Sequence, residues 1–571
     1  MKNLSKYIAS VALGGMLVFA SCETFELDKT NDPNFLTPEQ ANADFFLNGI
    51  QEDFVRQLEG DADFDPNDNW QSGGNTNGDG LSLFGGELTR MFNMAGRQYS
   101  NVYQGSDSDD EWLNAYAGIL TDIRAMNVIA DRDGLSRHTA MSQFMEAYLI
   151  TAMVDFYGDV PYSEFGQGAE NFNPKLDSGA SIYDAALVLL DEAIANFEVD
   201  ILSQLEPPTD VFYGLDYDKW IKACNTLKMR LYVQRRLVDP SAFASINAIL
   251  TSGDYISSNE DDFQYNWPGT SATQPDTRHP RYGFNYQSAG ANDYASNWLL
   301  NQMATTDDPR IRYYFYRQVS AVPGEEIDPN EEDLQCSLQT SPQHYVDGGF
   351  TFCSLPNGYW GRDHGDPAGI PPDGFKRTTF GVYPVGGSFD DDRFEGVAVG
   401  GGGAGGGITP ILTAAWVDFM QAEMAMVNNA PADAKAFISA GLAKQIAKVQ
   451  TFVSLDADAD ISFEPSTTDV SNYISSIETA FDAADTDGKW DILGEQFFVT
   501  AFGNGVESYN FYRRTGYPTT LQPNLEPNPG TFVRSMFYPS NAVNTNSNIS
   551  QKTDQTQPVF WDTNASAPIA N

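Results

Sequence analysis

Basic residues and the usual metal ligands are scarce in this sequence. Lys and Arg number 33 against 78 Asp and Glu, which gives a formal net charge of −45 at pH 7. Nucleic-acid binding needs a basic face that releases counterions, so this balance argues against a DNA- or RNA-binding protein. It argues equally against docking of a polybasic patch on anionic lipid. Only four His and four Cys are present, which disfavours a Cys/His zinc site.

The sequence motifs of common enzyme classes are also missing. It contains no His-Glu-x-x-His, no Gly-x-Ser-x-Gly and no Walker A sequence. Gly400, Gly402 and Gly405 match a dinucleotide fingerprint, but no predicted strand precedes them. The four His show no metal-ligand spacing, and His364 is expected to brace a loop. We therefore predict that the chain is not an enzyme and has no cofactor.

Long apolar runs are confined to the first residues. Lys2 and Lys6 precede an apolar stretch from Ile8 to Ala20 that is too short to span a bilayer comfortably. Small residues then lead into Cys22, a pattern that resembles a bacterial lipobox. The sequence therefore predicts a signal peptide over residues 1–21 and lipidation of Cys22, where several acyl chains would anchor the chain to a membrane. The alternative is an ordinary signal peptide with an incidental Cys.

Helical periodicity dominates the rest of the chain, in which 41% hydrophobic and 13% aromatic residues exclude wholesale disorder. Apolar residues spaced by three and four predict amphipathic helices. Thr409-Pro410 is predicted to cap one helix and Pro431 to open the next. We expect antiparallel helix pairs, without a strict repeat. The stripes lie at 112–130, 141–156, 182–193, 220–231, 412–424 and 470–484.

Three stretches lack this periodicity, at 60–86, 253–407 and 516–571. In the second, only Tyr294 to Met303 is predicted as a helix, and Gly400 to Gly407 is predicted as a mobile loop. The third is expected to wrap over the surface. Long loops on a helical scaffold often carry the binding site.

Five short motifs occur in order along the chain. They are Tyr157–Glu164, Lys219–Arg230, Asp308–Arg310, Ala415–Ala425, and Arg513–Pro518 with Arg534 and Tyr538-Pro539 beyond it. Together they resemble the SusD/RagB family of nutrient-binding outer-membrane lipoproteins. The last motif is similar to the C-terminal RRTGYP signature of the SusD-like branch, and the resemblance covers the chain from Cys22 onward.

The resemblance implies a mostly α fold of TPR-like helix pairs, an alpha-alpha superhelix with a loop-rich ligand face and few short strands. Residues 22–571 would form one domain, with a loop-rich insertion at about 253–407 and a C-terminal wrap at 516–571. The family also implies a SusC-like TonB-dependent barrel, over which the lipoprotein sits as a lid and delivers an oligosaccharide or another oligomeric nutrient. The acidic residues after Cys22 resemble tethers that place Bacteroidetes lipoproteins on the cell surface. Trp220, Tyr157, Arg513 and Arg514 would have structural roles.

Aromatic residues in the irregular stretches are the candidate ligand contacts. Sugars present apolar C–H faces to aromatic rings and hydroxyls to amides and charged groups. The alternative is that each ring fills a small satellite core. The candidates are Trp70, Tyr265, Trp267, Tyr282, Tyr286, Tyr359 and Trp360.

Two further features have more than one interpretation. Alternating Asp residues at 61–68 and 456–460, and the Asp485–Gly488 turn, could bind a structural calcium ion or be chance clusters and a helix turn. Cys336 and Cys353 could form a disulfide or remain separate thiols. Cys224 lies on a helical stripe and is expected to be an inert core residue.

The favoured hypothesis is a cell-surface nutrient-binding lipoprotein of the outer membrane. A surface glycan hydrolase and a TPR-like adaptor that binds only proteins are the alternatives. The acidic charge disfavours polyanionic nutrients.

Overall fold

The predicted amphipathic stripes all form helices in the structure, a computed structural model that describes residues 41–60, 80–94, 96, 98–199, 207–270, 277–322, 335–366 and 376–564. A mostly helical fold is therefore confirmed. The α-helices are α1 Ala43–Glu59, α2 Leu81–Leu88, α3 Asp109–Leu113, α4 Thr121–Asp133, α5 Ser136–Tyr157, α6 Gly179–Phe197, α7 Tyr217–Arg235, α8 Ala242–Ser252, α9 Pro280–Asn285, α10 Asn297–Thr305, α11 Ile311–Tyr314, α12 Gln343–Gly348, α13 Ala414–Val427, α14 Pro431–Gln450, α15 Thr467–Ala483, α16 Thr486–Thr500, α17 Gly505–Thr515 and α18 Ser540–Thr545.

Short polar side chains start many of these helices. Ser178 and Asp216 accept hydrogen bonds from the backbone amides at the starts of α6 and α7, and Ser466 forms a capping box with Asp469 at α15. Each cap satisfies an amide that has no partner within the helix. Pro431 begins α14, as the sequence predicts. A π-helical stretch, Asn114–Leu120, joins α3 to α4.

Consecutive helices pack against each other as pairs. Helices α5 and α6, α7 and α8, α13 and α14, and α15 and α16 are in contact, and α7 also packs against α6. Each pair buries the apolar stripe that its sequence carries, so one large core runs through the scaffold.

The strands are short and form three two-stranded antiparallel sheets. They are β1 Val160–Pro161, β2 Leu176–Asp177, β3 Phe263–Asn266, β4 Phe315–Tyr316, β5 Thr379–Phe380 and β6 Ile408–Leu412. The prediction that Thr409-Pro410 caps a helix is wrong, because both residues lie in β6 and pair with β3. Thr413 caps α13 instead, accepting a hydrogen bond from Trp416 N.

Other elements also differ from the sequence prediction. Helix α2 lies in a stretch predicted to be irregular, and α10 begins at Asn297 instead of Tyr294. The short helices α9, α11 and α12 lie within residues 253–407, where only one helix is predicted. Ala295 and Ser296 form β-bridges with Phe92 and Arg362, which hold the residues before α10 in an extended conformation.

Helices α2 and α17 cross at backbone contact distance. A Cβ on Gly85 would lie 2.2 Å from Gly505 O, and one on Gly505 would lie 2.1 Å from Gly86 N. Only glycine permits this approach. The crossing brings a helix from near the start of the described chain against the helix that carries the Arg513-Arg514 pair.

The carboxylate of Asp155 joins several distant parts of the chain. Asp155 is fully buried on α5 and accepts hydrogen bonds from Asn510 Nδ2 at 2.7 Å and Trp561 Nε1 at 2.9 Å. Tyr183 of α6 donates its hydroxyl hydrogen to the same group, and Arg230 Nη2 of α7 lies at 3.4 Å. One side chain therefore connects α5, α6, α7, α17 and the C-terminal segment, and we name these five residues the Asp155 hub.

The arginines of the C-terminal motif are internal braces. Arg513 donates to the carbonyls of Asp155 and Arg534, both at 2.7 Å. Arg514 forms a bidentate pair with Glu423 of α13 at 2.8 and 2.7 Å. Such forked contacts fix both position and orientation. The structural roles expected for Arg513 and Arg514, and for the fully buried Trp220 and Tyr157, are confirmed.

Replacing Asp155 tests the importance of the hub. We expect Asp155→Ala to lower the free energy of unfolding by about 3–5 kcal/mol, because three buried donors lose their acceptor and Arg230 keeps only its pair with Glu507. Chemical denaturation of the purified chain measures this change. The control is Asp191→Ala, which removes an exposed partner of Lys228 and should cost at most about 1 kcal/mol. Equal losses in the two variants would contradict a special role for the hub.

Candidate functional site

Some of the predicted site residues lie outside the described residues. Cys22, Trp70 and the acidic run at 61–68 belong to this group. The other six candidate aromatic residues have defined positions, and they fall into two classes according to burial.

Five of the six rings are buried. Tyr282, Tyr286 and Trp360 are at most 1% exposed, and Trp267 and Tyr359 are 6% exposed. A ring needs a free face to stack on a sugar, so these five do not form an exposed platform in this structure. Their packing is that of the alternative interpretation, in which loop aromatics fill cores, and contact of these five rings with a ligand stays a prediction.

The glycine-rich run packs against Tyr282, which in turn stacks on Tyr286. Their rings stack with centroids 4.4 Å apart, Tyr282 donates to Gly401 O at 2.9 Å, and Tyr286 donates to Phe380 O at 2.7 Å. The run from Gly400 to Gly407 is packed, contrary to the predicted mobile loop. A Cβ on Gly407 would lie 1.9 Å from Pro384 O, so the glycines permit close backbone packing.

Tyr359 belongs to the main core, and its neighbour Trp360 belongs to a small core beside the disulfide. The guanidinium of Arg317 lies 4.6 Å from the centre of the Tyr359 ring. Trp360 packs in a cluster with Val322 and Cys353. Cys353 forms a disulfide with Cys336, with Cα atoms 5.5 Å apart, which decides between the two interpretations of this pair. Cys224 is buried and free, as expected.

The remaining candidate, Tyr265, lies at the surface. Its side chain is half-buried on β3, where its ring packs edge-on against Trp267 at 4.8 Å and against Phe212 at 6.1 Å. Burial raises the pKa of the Tyr265 hydroxyl, with a further increase from Glu52 and a decrease from Arg56. No hydrogen bond from this hydroxyl is formed within the described part of the chain.

We name the region around this residue the Tyr265 surface, formed by Tyr265, Glu52 and Arg56. Glu52 and Arg56 pair at 3.1 Å along α1. Gln264 and Asn266 flank Tyr265 on the opposite face of the strand. The arrangement offers a partly exposed aromatic ring, a hydroxyl and an ion pair to a ligand.

A series of buried hydrogen bonds lies beneath the Tyr265 surface. Trp267 Nε1 donates to Thr409 Oγ1 at 2.9 Å, and Thr409 Oγ1 donates to Glu59 Oε2 at 3.3 Å. Arg281 Nε donates to Glu59 Oε1 at 3.1 Å, with His279 beside it. These contacts connect the end of α1 with β3, β6 and α9, and they fix the ring against which Tyr265 packs.

Burial dominates the protonation of this cluster. It raises the pKa of Glu59 to about 7, although Arg281 and Thr409 act to lower it. Burial and the nearby Arg281 lower the pKa of His279 well below its usual value. Glu59 is only 1% exposed, so its carboxylate positions neighbouring groups and does not face a substrate.

The described acidic motifs and His364 have structural partners. Asp456 accepts hydrogen bonds from Phe389 N and Arg393 Nη2, both at 2.9 Å, and Asp485 caps α16. Among the described residues, no group of three or more His, Cys, Asp or Glu could hold a metal ion. His364 Nε2 lies 3.1 Å from the Tyr99 hydroxyl in the interior, consistent with a bracing role.

Two family models match most of the chain. One, described as "Starch-binding associating with outer membrane", matches residues 82–335, and the other, described as "Susd and RagB outer membrane lipoprotein", matches residues 408–557. This chain belongs to the SusD-like family. The family is described by binding and membrane association, not by hydrolysis, so the prediction that the chain is not an enzyme is confirmed. Assignment to the branch with the RRTGYP ending stays a prediction.

Solved structures show the same fold. A chitin-binding protein is 20% identical over 92% of this chain and 100% of its own, with a TM-score of 0.62. A chitin-binding SusD homologue from Flavobacterium johnsoniae is 18% identical over 91% and 99%, with a TM-score of 0.60. A SusD homologue from Bacteroides uniformis is 17% identical over 91% and 100%, with a TM-score of 0.61. No curated protein matches the sequence.

Membership of this family agrees with an outer-membrane lipoprotein, the term used in its description. Within the ranges that the structure describes, none of the helices has the length and apolar character needed to cross a bilayer. Lipidation at Cys22 and the limits of the single domain stay predictions.

The raised pKa of Glu59 predicts a pH-dependent stability. Between pH 4.5 and 7 the folded chain keeps a proton on Glu59 that the unfolded chain has released, so this contribution is present at low pH and is lost as pH rises. We expect Glu59→Gln to reduce the fall in unfolding free energy between pH 5 and 7.5 by about 2–3 kcal/mol, measured by denaturant titration. The pKa of Glu495 is also raised to about 7 by burial, so this residue contributes a similar pH dependence of the unfolding free energy to the wild type and to Glu59→Gln.

The control for this measurement is Glu52→Gln, which changes an exposed carboxylate of the same helix. The unfolding free energy of this control should change with pH as that of the wild type does. If Glu59→Gln also kept the wild-type pH dependence, the raised pKa of Glu59 would be contradicted.

Proposed function

We propose that the chain is a cell-surface lipoprotein that binds a neutral glycan and delivers it to a SusC-like TonB-dependent barrel in the outer membrane. The observation that carries this proposal is family membership, since the model matching residues 82–335 is described as starch-binding. Two structural neighbours are named as chitin-binding, which supports a carbohydrate as the ligand.

The charge of the chain supports a neutral glycan over a charged one. With a formal net charge of −45, the surface repels uronates and sulfated glycans at long range. An uncharged oligosaccharide avoids this repulsion, and its binding depends on ring stacking and hydrogen bonds.

The Tyr265 surface is our candidate contact for that glycan. Among the six described candidate rings, the ring of Tyr265 has the largest exposed area, and Glu52 beside it is 51% exposed. The exposed part of the ring can contact sugar C–H groups while its hydroxyl and the Glu52 carboxylate bind sugar hydroxyls. The buried contacts of Trp267 and Glu59 hold this arrangement rigid, which reduces the entropy lost on binding.

Replacing Tyr265 tests the site. We expect Tyr265→Ala to weaken binding about five- to tenfold, since an aromatic contact is worth about 1 kcal/mol. Calorimetric titration with maltohexaose, laminarihexaose and chitohexaose measures the affinity. Tyr265→Phe separates the ring from its hydroxyl, and Tyr232→Ala, a half-buried tyrosine of α7, is the matched control.

The results distinguish the alternatives. Wild-type affinity in Tyr265→Ala would place the glycan elsewhere on the chain. Absence of wild-type binding across glycan and peptide panels would favour an adaptor that binds only proteins.

Delivery to a barrel is tested separately in the native host. We expect a SusC-like barrel to co-purify with the tagged chain from detergent-solubilised outer membranes. In a host that lacks the barrel, Cys22→Ser should move the chain from the membrane fraction to the soluble fraction, because neither acyl chains nor the barrel then hold it. Isolation of the wild-type chain without a barrel, or membrane retention of Cys22→Ser in that host, would contradict the proposal.

A further inference from the structure

A single phenylalanine projects from the connection between β1 and β2. Phe172 is 74% exposed, the largest exposed fraction of any large hydrophobic side chain in the described residues. It lies in the sequence Asn171-Phe172-Asn173-Pro174. Burying a Phe side chain is worth about 1.5–3 kcal/mol, and the fold does not gain that energy here.

The backbone on both sides of Phe172 is held by one carboxylate. Glu164 Oε2 accepts from Asn171 Nδ2 at 3.2 Å and from Lys175 N at 3.0 Å, and its other oxygen pairs with Lys175 Nζ at 2.9 Å. Asn171 Oδ1 also accepts from Asn173 N at 3.0 Å. The ring therefore stands on a closed, hydrogen-bonded turn.

The same turn is docked on the C-terminal segment. Ser547 N and Asn548 Nδ2 donate to the side-chain and backbone oxygens of Asn173, at 2.9 and 2.6 Å. Asn546 Nδ2 donates to Pro174 O at 2.8 Å. These contacts tie two surface segments that are more than 370 residues apart, and they keep the ring from folding back onto the core.

The docked segment presents amides and hydroxyls. Residues 541–548 carry no charged side chain, and Asn544, Ser547 and Asn548 are exposed. Ser547 and Asn548 already bond to Asn173 through their donor groups. An apolar partner surface pressed onto Phe172 would leave the exposed Asn544 amide and their remaining acceptor oxygens without hydrogen bonds. A neutral polyhydroxyl ligand matches both the Phe172 ring and the polar groups beside it, because sugar C–H groups pack on the ring while hydroxyls bond to the amides.

We infer that Phe172 and the Asn-rich segment 541–548 form a second binding site for a neutral glycan, separate from the Tyr265 surface. This inference rests on the proposed glycan-binding function. A second site gives a long polymer two points of attachment, so the effect of Phe172 is larger for polymers than for short oligomers.

Affinity electrophoresis of the mature, full-length chain tests the inference in gels that contain amylopectin, laminarin or glycol chitin. We expect Phe172→Ala to weaken binding of the retained polymer about three- to tenfold, with hexasaccharide affinity changed less than twofold. Phe172→Trp should keep wild-type retardation, because an indole ring also stacks on sugars. The matched control is Phe45→Ala, which removes a phenylalanine that is 65% exposed on α1.

The outcomes separate this inference from the proposed function. If the wild-type chain is retarded and Phe172→Ala matches it, the second site is rejected and glycan binding stands. Equal loss in the Ala and Trp variants would also reject it, because a stacking platform tolerates the indole. If Phe172→Ala keeps its retardation but loses the co-purifying barrel, the residue contacts protein and the inference is wrong. If no polymer retards the wild-type chain, both proposals fail.

Discussion

The structure depends on one buried carboxylate that has to be fully hydrogen-bonded. Asp155 is enclosed by donors from α6, α7, α17 and the C-terminal segment, which meet only when all of these elements are correctly placed. An unpaired charge in such an interior costs several kcal/mol, so partial assembly is penalised. The hub therefore links closure of the C-terminal segment to packing of the helix pairs.

The distribution of basic residues follows from the same constraint. The chain has few Lys and Arg, yet Arg90, Arg230, Arg310, Arg513 and Arg514 all lie in the interior, where they pair with carboxylates or carbonyls. Basic side chains that pair in the interior do not neutralise the carboxylates on the surface. The surface that a ligand meets is accordingly acidic, which is the electrostatic reason to expect an uncharged nutrient.

Aromatic residues in this protein serve the scaffold more than the ligand. Tyr282 bonds to the backbone of the glycine-rich run, Tyr286 bonds to the backbone of β5, and the Trp267 indole donates to Thr409. Only rings whose backbone is held while part of the ring stays in water remain available for binding. Tyr265 and Phe172 meet that condition, the first through the Glu59 chain and the second through Glu164 and the C-terminal segment.

Features that depend on local pattern can be predicted from the amino-acid order alone. Stripes with a period of 3.6 residues predict the helices, Pro431 predicts the start of α14, and the ordered motifs predict the family. Patterns that depend on a distant partner were decided by the tertiary structure. Thr409-Pro410 is a cap by local propensity, but pairing with β3 makes it a strand.

Exposure of the aromatic residues also depends on distant parts of the chain. Trp267 and Phe172 both have polar neighbours in sequence, yet one is buried and the other projects into solvent. No local signal separates them. Trp267 is held in the interior by its hydrogen bond to Thr409, whereas hydrogen bonds from residues 546–548 to Asn173 and Pro174 hold the turn from which Phe172 projects. The sequence therefore identified the kind of protein, and the long-range contacts decided which of its rings can reach a ligand.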